Sequence, residues 1–191
     1  MTRLTVESRR KNDAYRALSE HPTDPTITFT GARLTADELG MHSRSEAAIH
    51  RCDLVGDDDI SRRLLSQPEL TAYGVKALNV MPVLVESAGS LAARLHRRAE
   101  PLCFALRAPG QHDVVFTADA GSAEAGSSEP RFQLHRPATV PVTATLTMRS
   151  DHRLLVLWGR RPAGLEVLEE GHLADLESLK SALWADAVPW P

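Results

Sequence analysis

The stretch TADELGMHSRSEAAIHRCDLVG, residues 35–56, places the first well-defined helix of this chain. Thr35 and Glu38 have the Thr-x-x-Glu spacing of a capping box, in which each side chain bonds the backbone of the other residue. Gly56 follows the helical residues and suits the position just past a helix C-terminus. The sequence therefore predicts a helix from Thr35 to about Val55, followed by an acidic turn at Asp57 to Asp59.

Before residue 98 the remaining signals are mostly helical. Residues 3–19 predict a weakly amphipathic helix, and the alternation around Ile27 and Phe29 predicts a strand over 26–30, after two prolines. Residues 69–97 carry apolar positions at helical spacing, and Pro82 predicts a kink or a break in that helix.

After Pro101 the pattern changes to short strands. Strands are predicted at LCFALRA, DVVFTAD, FQLHR and VPVTATL. The stretch RLLVLWG is too short for the spacing of its apolar residues to distinguish a helix from a strand. HLADLESLKSALW predicts a terminal helix. This order, helices first and strands later, predicts an α+β protein with a helical part at 1–98 and a strand-rich part at 99–191.

Composition restricts the partners of the chain. The formal charge is −3 and the pI is near 6.2, which gives no basic footprint for nucleic acid or an anionic membrane. No apolar run approaches the roughly 18 residues that span a bilayer, and the polar first residues lack the apolar core of a signal peptide. The two cysteines are far apart, so a reducing cytoplasm is expected.

Helix 35–55 carries acidic residues and histidines in a ladder at four-residue spacing: Glu38, His42, Glu46 and His50. Residues four apart share a helix face, so a Glu-x-x-x-His pair can offer an oxygen and a nitrogen to one cation. Two such acid–histidine pairs occur where chance gives about one. A solvated face with helical Glu–His pairs explains the same spacing.

The surrounding residues add a family resemblance. SRSEAAIHRCDLVGDD resembles the metal-site helix of the mycothiol-dependent maleylpyruvate isomerase family, which has DinB-like helices and carries Glu-x-x-(hydrophobic)-His-Arg-(aromatic)-Asp there. The matching positions are Glu46, Ile49, His50, Arg51 and Asp53. The resemblance covers roughly residues 25–185, through the stretch TAYGVKALNVMPVLVESAGSLAARL and through MRSDHRLLVLWGRRP, which looks like the family's sterol-carrier-like C-terminal domain.

The resemblance implies a site and a chemistry. Glu46 and His50 would be two ligands of a divalent metal, usually zinc in that family. Asp53 would either orient His50 or cap the local backbone at an acidic helix end. The metal would bind mycothiol as its thiolate, which would add to a small electrophilic substrate and leave after rotation about a double bond. The resemblance also implies an actinobacterial cytoplasm, where mycothiol occurs.

The chain departs from the family at two points. The family's third ligand is a histidine well upstream, but only His21 and His42 precede Glu46, so we expect an N-terminally shortened, incomplete DinB-like bundle. His21, His42, a homodimer or a partner chain would have to complete the site. Cys52 stands where the family has an aromatic residue; we expect a small buried residue there rather than a ligand.

Other candidates are weaker. Arg160 and Arg161 can hold a substrate carboxylate, although a solvated turn is the commoner role of such a pair. The histidines of the strand-rich part lack metal spacing, and we expect surface or capping roles for them: His112, His135, His152 and His172.

Three functional hypotheses follow. The first is a divergent metal- and mycothiol-dependent isomerase or thiol transferase acting on a small molecule. The second is a non-catalytic binding or interaction protein that keeps the fold after losing the upstream ligand. The third is a sterol-carrier-like lipid binder, which rests on the C-terminal resemblance alone.

Overall fold

A computed structural model describes residues 3–21, 23, 25–87, 89–96, 102–118 and 131–184 of the 191-residue chain. The predicted boundary between residues 98 and 99 lies outside the described residues, as does most of the stretch between the strands DVVFTAD and FQLHR.

The N-terminal elements follow the sequence signals closely. Helix α1 spans Arg3–Ser19, and the predicted strand β1, Thr26–Phe29, pairs antiparallel with an additional strand β2, Ala32–Thr35. Helix α2 spans Ala36–Val55. The acidic turn does more than end α2, because Asp58 caps a further helix, α3, Asp59–Leu65, by accepting from the Ser61 N–H.

The helical stretch 69–97 is three helices rather than one. Helix α4, Pro68–Val80, ends where Met81 adopts an extended conformation, and α5, Pro82–Glu86, begins at the proline. Pro82 thus breaks the helix, because proline fits the first position of a helix but not its interior. Helix α6, Leu91–His96, follows.

The C-terminal half contains a five-stranded mixed sheet in the order β5-β4-β3-β6-β7. Strand β3 pairs antiparallel with β4 and parallel with β6. The outer pairs, β4 with β5 and β6 with β7, are antiparallel. The strands are β3 Leu102–Arg107, β4 Asp113–Ala118, β5 Arg131–His135, β6 Ala144–Thr147 and β7 Leu168–Gly171.

Two helices complete this half. The run RLLVLWG lies in and just after helix α7, Ser150–Leu157, and the terminal helix α8 spans Leu173–Trp184. On α8, Leu176, Leu179 and Leu183 are buried, whereas Leu173 is exposed because it lies at the start of the helix. The combination of helices with a mixed sheet confirms the α+β class.

One apolar core contains residues from both halves of the chain. Val75, Leu78 and Leu91 from the helices lie in the same buried cluster as Phe104 and Leu146 from the sheet. Two smaller clusters lie against α2: one is centred on Ile49, Cys52 and Leu155, and the other on Leu34 and Tyr73. This packing fixes α2 against α7.

Among the described residues, every helix is too short or too polar to cross a membrane.

Candidate metal centre

Helix α2 is held at both ends by the contacts that its sequence predicts. The Glu38 N–H donates to Thr35 Oγ1 at 3.3 Å, and the Thr35 N–H donates to Glu38 Oε2 at 2.8 Å. At the other end, Gly56 has φ of 90° and donates its N–H to the carbonyl of Cys52. Between these ends, Ile49 and Cys52 are buried, while Glu46 and His50 lie on a more exposed face.

Glu46 and His50 are placed as two ligands of one cation would be. Glu46 Oε2 lies 3.2 Å from His50 Nε2. Two donors that bind one zinc ion at its usual bond lengths in a tetrahedron lie about 3.3 Å apart. The pair therefore fits a divalent cation in donor type and in spacing. The same contact is also the ordinary geometry of a helical Glu–His pair.

Asp53 holds the other side of the imidazole ring. Its Oδ2 lies 2.8 Å from His50 Nδ1, so the carboxylate orients the ring and leaves Nε2 to face Glu46. A carboxylate on the second nitrogen of a histidine is the usual outer partner of a metal-binding histidine. In this structure the Asp53 side chain contacts the His50 ring, one of the two roles considered for it.

Arg160 reaches the same carboxylate from a distant part of the chain. Its Nη2 donates to Asp53 Oδ2 at 3.2 Å, and its Nη1 donates to the carbonyl of Trp158. Arg161 points elsewhere, with its guanidinium 5.7 Å from the centre of the Trp184 ring. Arg160 and Arg161 therefore contact different residues in this structure.

His42 lies among aromatic rings. Its imidazole is 4.9 Å from the ring centre of Phe29, 5.9 Å from that of Tyr73 and 6.1 Å from that of Trp158. Burial and the negative charge of Glu46 raise the pKa of Tyr73 to about 12, so this phenol stays protonated at neutral pH. His21, the other upstream histidine, is exposed and contacts Thr23.

A second group of potential ligands was not predicted. In the described part of the chain, Asp57, Asp151 and His152 are the one trio of such residues whose donor atoms all lie within 4.8 Å of one another, and this trio can hold a metal ion. A cavity of about 100 Å³ adjoins it and is also lined by Cys52. Asp57 follows the end of α2, and Asp151 lies at the start of α7, 94 positions later in the sequence. No local spacing of residues therefore predicts the trio.

His152 corrects one expectation directly. It was expected at the surface, but it is 3% exposed, and no described residue bonds its Nδ1. Burial lowers the pKa of His152, and the charge of Arg149 acts in the same direction. The ring is therefore neutral at neutral pH, the form in which imidazole binds metals.

The two carboxylates of the trio already have cationic partners. Asp57 accepts from Arg62 Nε at 2.9 Å and from Arg149, while Asp151 accepts from Arg149 Nε at 3.1 Å. A hydrogen bond from Arg62 is the main cause of the lowered pKa of Asp57. A cation at this trio would have to compete with two guanidinium groups, whereas Glu46 has no arginine partner among the ion pairs of the described residues.

No protein family, curated protein or solved structure matches this chain. The case for a function therefore depends on the site geometry and on the sequence resemblance.

Proposed function

We propose that the chain is a divergent metal-dependent, mycothiol-dependent isomerase or thiol transferase acting on a small electrophilic substrate. Glu46 and His50 bind a divalent metal, zinc, through Oε2 and Nε2. The observation that carries the proposal is the 3.2 Å approach of these two atoms, with His50 Nδ1 held by Asp53.

The position of Arg160 supports the same assignment. Asp53 lies in one of the three stretches that resemble the family and Arg160 lies in another, and these two side chains are in contact. A carboxylate that orients a metal ligand must itself be held in place, and the hydrogen bond from Arg160 holds the Asp53 carboxylate.

Each residue has a defined task in this proposal. Glu46 and His50 supply the ligand atoms, Asp53 keeps the His50 ring in the orientation that presents Nε2, and Arg160 fixes Asp53. A zinc ion held there would lower the pKa of a cosubstrate thiol, so that the thiol is nucleophilic at neutral pH.

The first test is zinc content per chain in the full-length protein. Wild type should retain zinc after gel filtration, His50→Ala should lose it, and His172→Ala, a change at an exposed histidine, should retain it. A further variant, His152→Asn, separates the two candidate centres. Zinc that is lost in His152→Asn but kept in His50→Ala would assign the metal to the buried trio and contradict the proposal.

A non-catalytic binding protein is the second candidate function. In the part of the chain that the structure describes, no third potential ligand joins Glu46 and His50 within 4.8 Å. A site with two protein ligands holds zinc weakly. If the melting temperature is the same with zinc and with chelator, this second candidate is favoured, because a ligand that binds the folded state raises its stability.

We also propose a homodimer through the end of α2. Leu54, Val55 and Ile60 are exposed apolar side chains at the end of α2 and the start of α3, with Leu54 87% exposed. A homodimer covering them would bring a second set of ligands near the centre. Gel filtration of wild type and of Leu54→Glu tests this point, since the variant should remain a monomer at every concentration.

A further inference from the structure

Arg153 is a buried cation whose partners are all neutral. Its side chain, on α7, is 1% exposed. Nη1 donates to the carbonyl of His112 at 2.7 Å and weakly to that of Leu106, and Nη2 donates to Gln111 Oε1 at 2.6 Å. None of the ion pairs among the described residues includes Arg153, and its buried Nε has no hydrogen-bond partner there.

Asp113 is the acidic residue that acts on the charge of Arg153. Asp113 attracts Arg153, but its carboxylate accepts from Arg107 Nε at 3.1 Å and from Arg107 Nη2 at 2.8 Å. Burial lowers the pKa of Arg153 to about 10, so the guanidinium remains protonated at neutral pH. Arg107 also pairs with Glu170 at 3.6 Å, whereas Arg153 is a buried guanidinium with no ion pair of its own among the described residues, an arrangement that proteins normally avoid.

A cavity adjoins the buried Arg153 side chain. It has a volume of about 360 Å³ and lies between the first turn of α4, the turn that joins β3 to β4, and strand β5. Its size is that of a small-molecule site. The lining residues used below are Glu69, Ala72, Gln111, Leu134 and Arg153.

Glu69 lies at the rim of this cavity and is engaged by other groups. Its Oε1 accepts from Arg44 Nη2 at 3.2 Å, and its pKa is lowered mainly by a hydrogen bond from its own backbone N–H. Among the described ion pairs, Glu69 pairs with Arg44 and not with Arg153. Arg153 is the one arginine or lysine among the described lining residues, so the cavity suits a ligand with one negative charge.

We propose that this cavity binds a small organic monocarboxylate, with its carboxylate against Arg153 and its apolar body along Ala72 and Leu134. The ligand supplies a direct carboxylate partner for Arg153, and a charge-assisted contact with a guanidinium is the strong form of such a hydrogen bond. This site is independent of the metal centre at Glu46 and His50, and its test does not require zinc.

The test titrates the full-length protein with two carboxylates, hexanoate and benzoate, and with the corresponding neutral amides, hexanamide and benzamide, using NMR chemical shifts. At least one carboxylate should bind ten or more times tighter than its amide. Arg153→Met should abolish that preference. Because Arg153 also supports the turn between β3 and β4, a second variant keeps it intact: Leu134→Trp fills the cavity and should weaken carboxylate binding at least tenfold.

Leu168→Trp is the matched control, since Leu168 is an exposed leucine on β7, the opposite edge strand of the sheet. It should bind the carboxylate as wild type does. The proposal is overturned if neither carboxylate is preferred over its amide, or if Leu134→Trp binds as tightly as Leu168→Trp does.

Discussion

Arg160 Nη2 lies 3.2 Å from Asp53 Oδ2, although the two residues are 107 positions apart in sequence. The same Asp53 oxygen lies 2.8 Å from His50 Nδ1, so one carboxylate oxygen serves both the candidate ligand and the arginine. This contact makes the proposed metal centre a tertiary feature rather than a property of helix α2 alone.

Replacing Asp53 should weaken metal binding without removing a ligand. In Asp53→Asn the ion pair with Arg160 is lost and the His50 ring is held less firmly, so zinc affinity should fall about 10- to 100-fold. Competition with a chromogenic chelator measures this change. The control is Asp59→Asn, because the Asp59 side chain is 95% exposed, and its zinc affinity should equal that of wild type. Equal affinities in the two variants would contradict the role of Asp53.

The capping box of α2 should contribute measurably to folding. Thr35→Ala removes the hydroxyl that accepts from the Glu38 N–H, and the free energy of unfolding should fall by about 1 kcal/mol. Thr35→Ser keeps the hydroxyl and should retain most of the stability. Urea denaturation of the three proteins measures the difference, and a serine variant as unstable as the alanine variant would count against the cap.

Asp58 should make stability depend on acid pH. Hydrogen bonds from Arg51 and from the Ser61 N–H hold the pKa of Asp58 well below its ordinary value. A depressed folded-state pKa gives stability that is fully present above the unfolded pKa, about 3.9, and that is lost as the pH falls through the folded pKa.

The variant Asp58→Asn tests this dependence, because asparagine caps a helix as well as aspartate does but carries no charge. The melting temperature of wild type should exceed that of the variant at neutral pH. The difference should shrink as the pH falls below about 4. A difference that stays constant over this range would show that the charge of Asp58 does not stabilise the fold.

Gly171 should tolerate no side chain. Its φ is 124°, and a Cβ there would overlap the carbonyl oxygen of Thr143 on the neighbouring chain segment. Gly171→Ala should lower the free energy of unfolding by about 3 kcal/mol or more. Gly164 is the control, since its φ is also positive at 62° but nothing lies near its Cβ position, and Gly164→Ala should cost about 1 kcal/mol. Equal costs in thermal unfolding would rule out the overlap.

Several elements followed directly from local sequence. Thr35, Glu38 and Gly56 predicted the limits of α2 correctly, because capping depends on residues within a few positions of each other. Pro82 predicted a break for the same reason. The strands β2 and β7 were missed; β7 has the sequence LEEG, with every side chain exposed, so it shows no alternation of apolar residues.

The sequence by itself determined the α+β class, the helix that carries Glu46 and His50, and their four-residue spacing. Helical periodicity and capping are local, so these features need no knowledge of the packing. Only the tertiary structure decided that Arg160 reaches Asp53, that His152 is buried beside Asp57, and that Arg153 lies without a carboxylate next to a cavity. These relationships depend on how α7 packs between α2, α4 and the sheet, because contacts between residues about 40 to 110 positions apart leave no periodic signal in the chain.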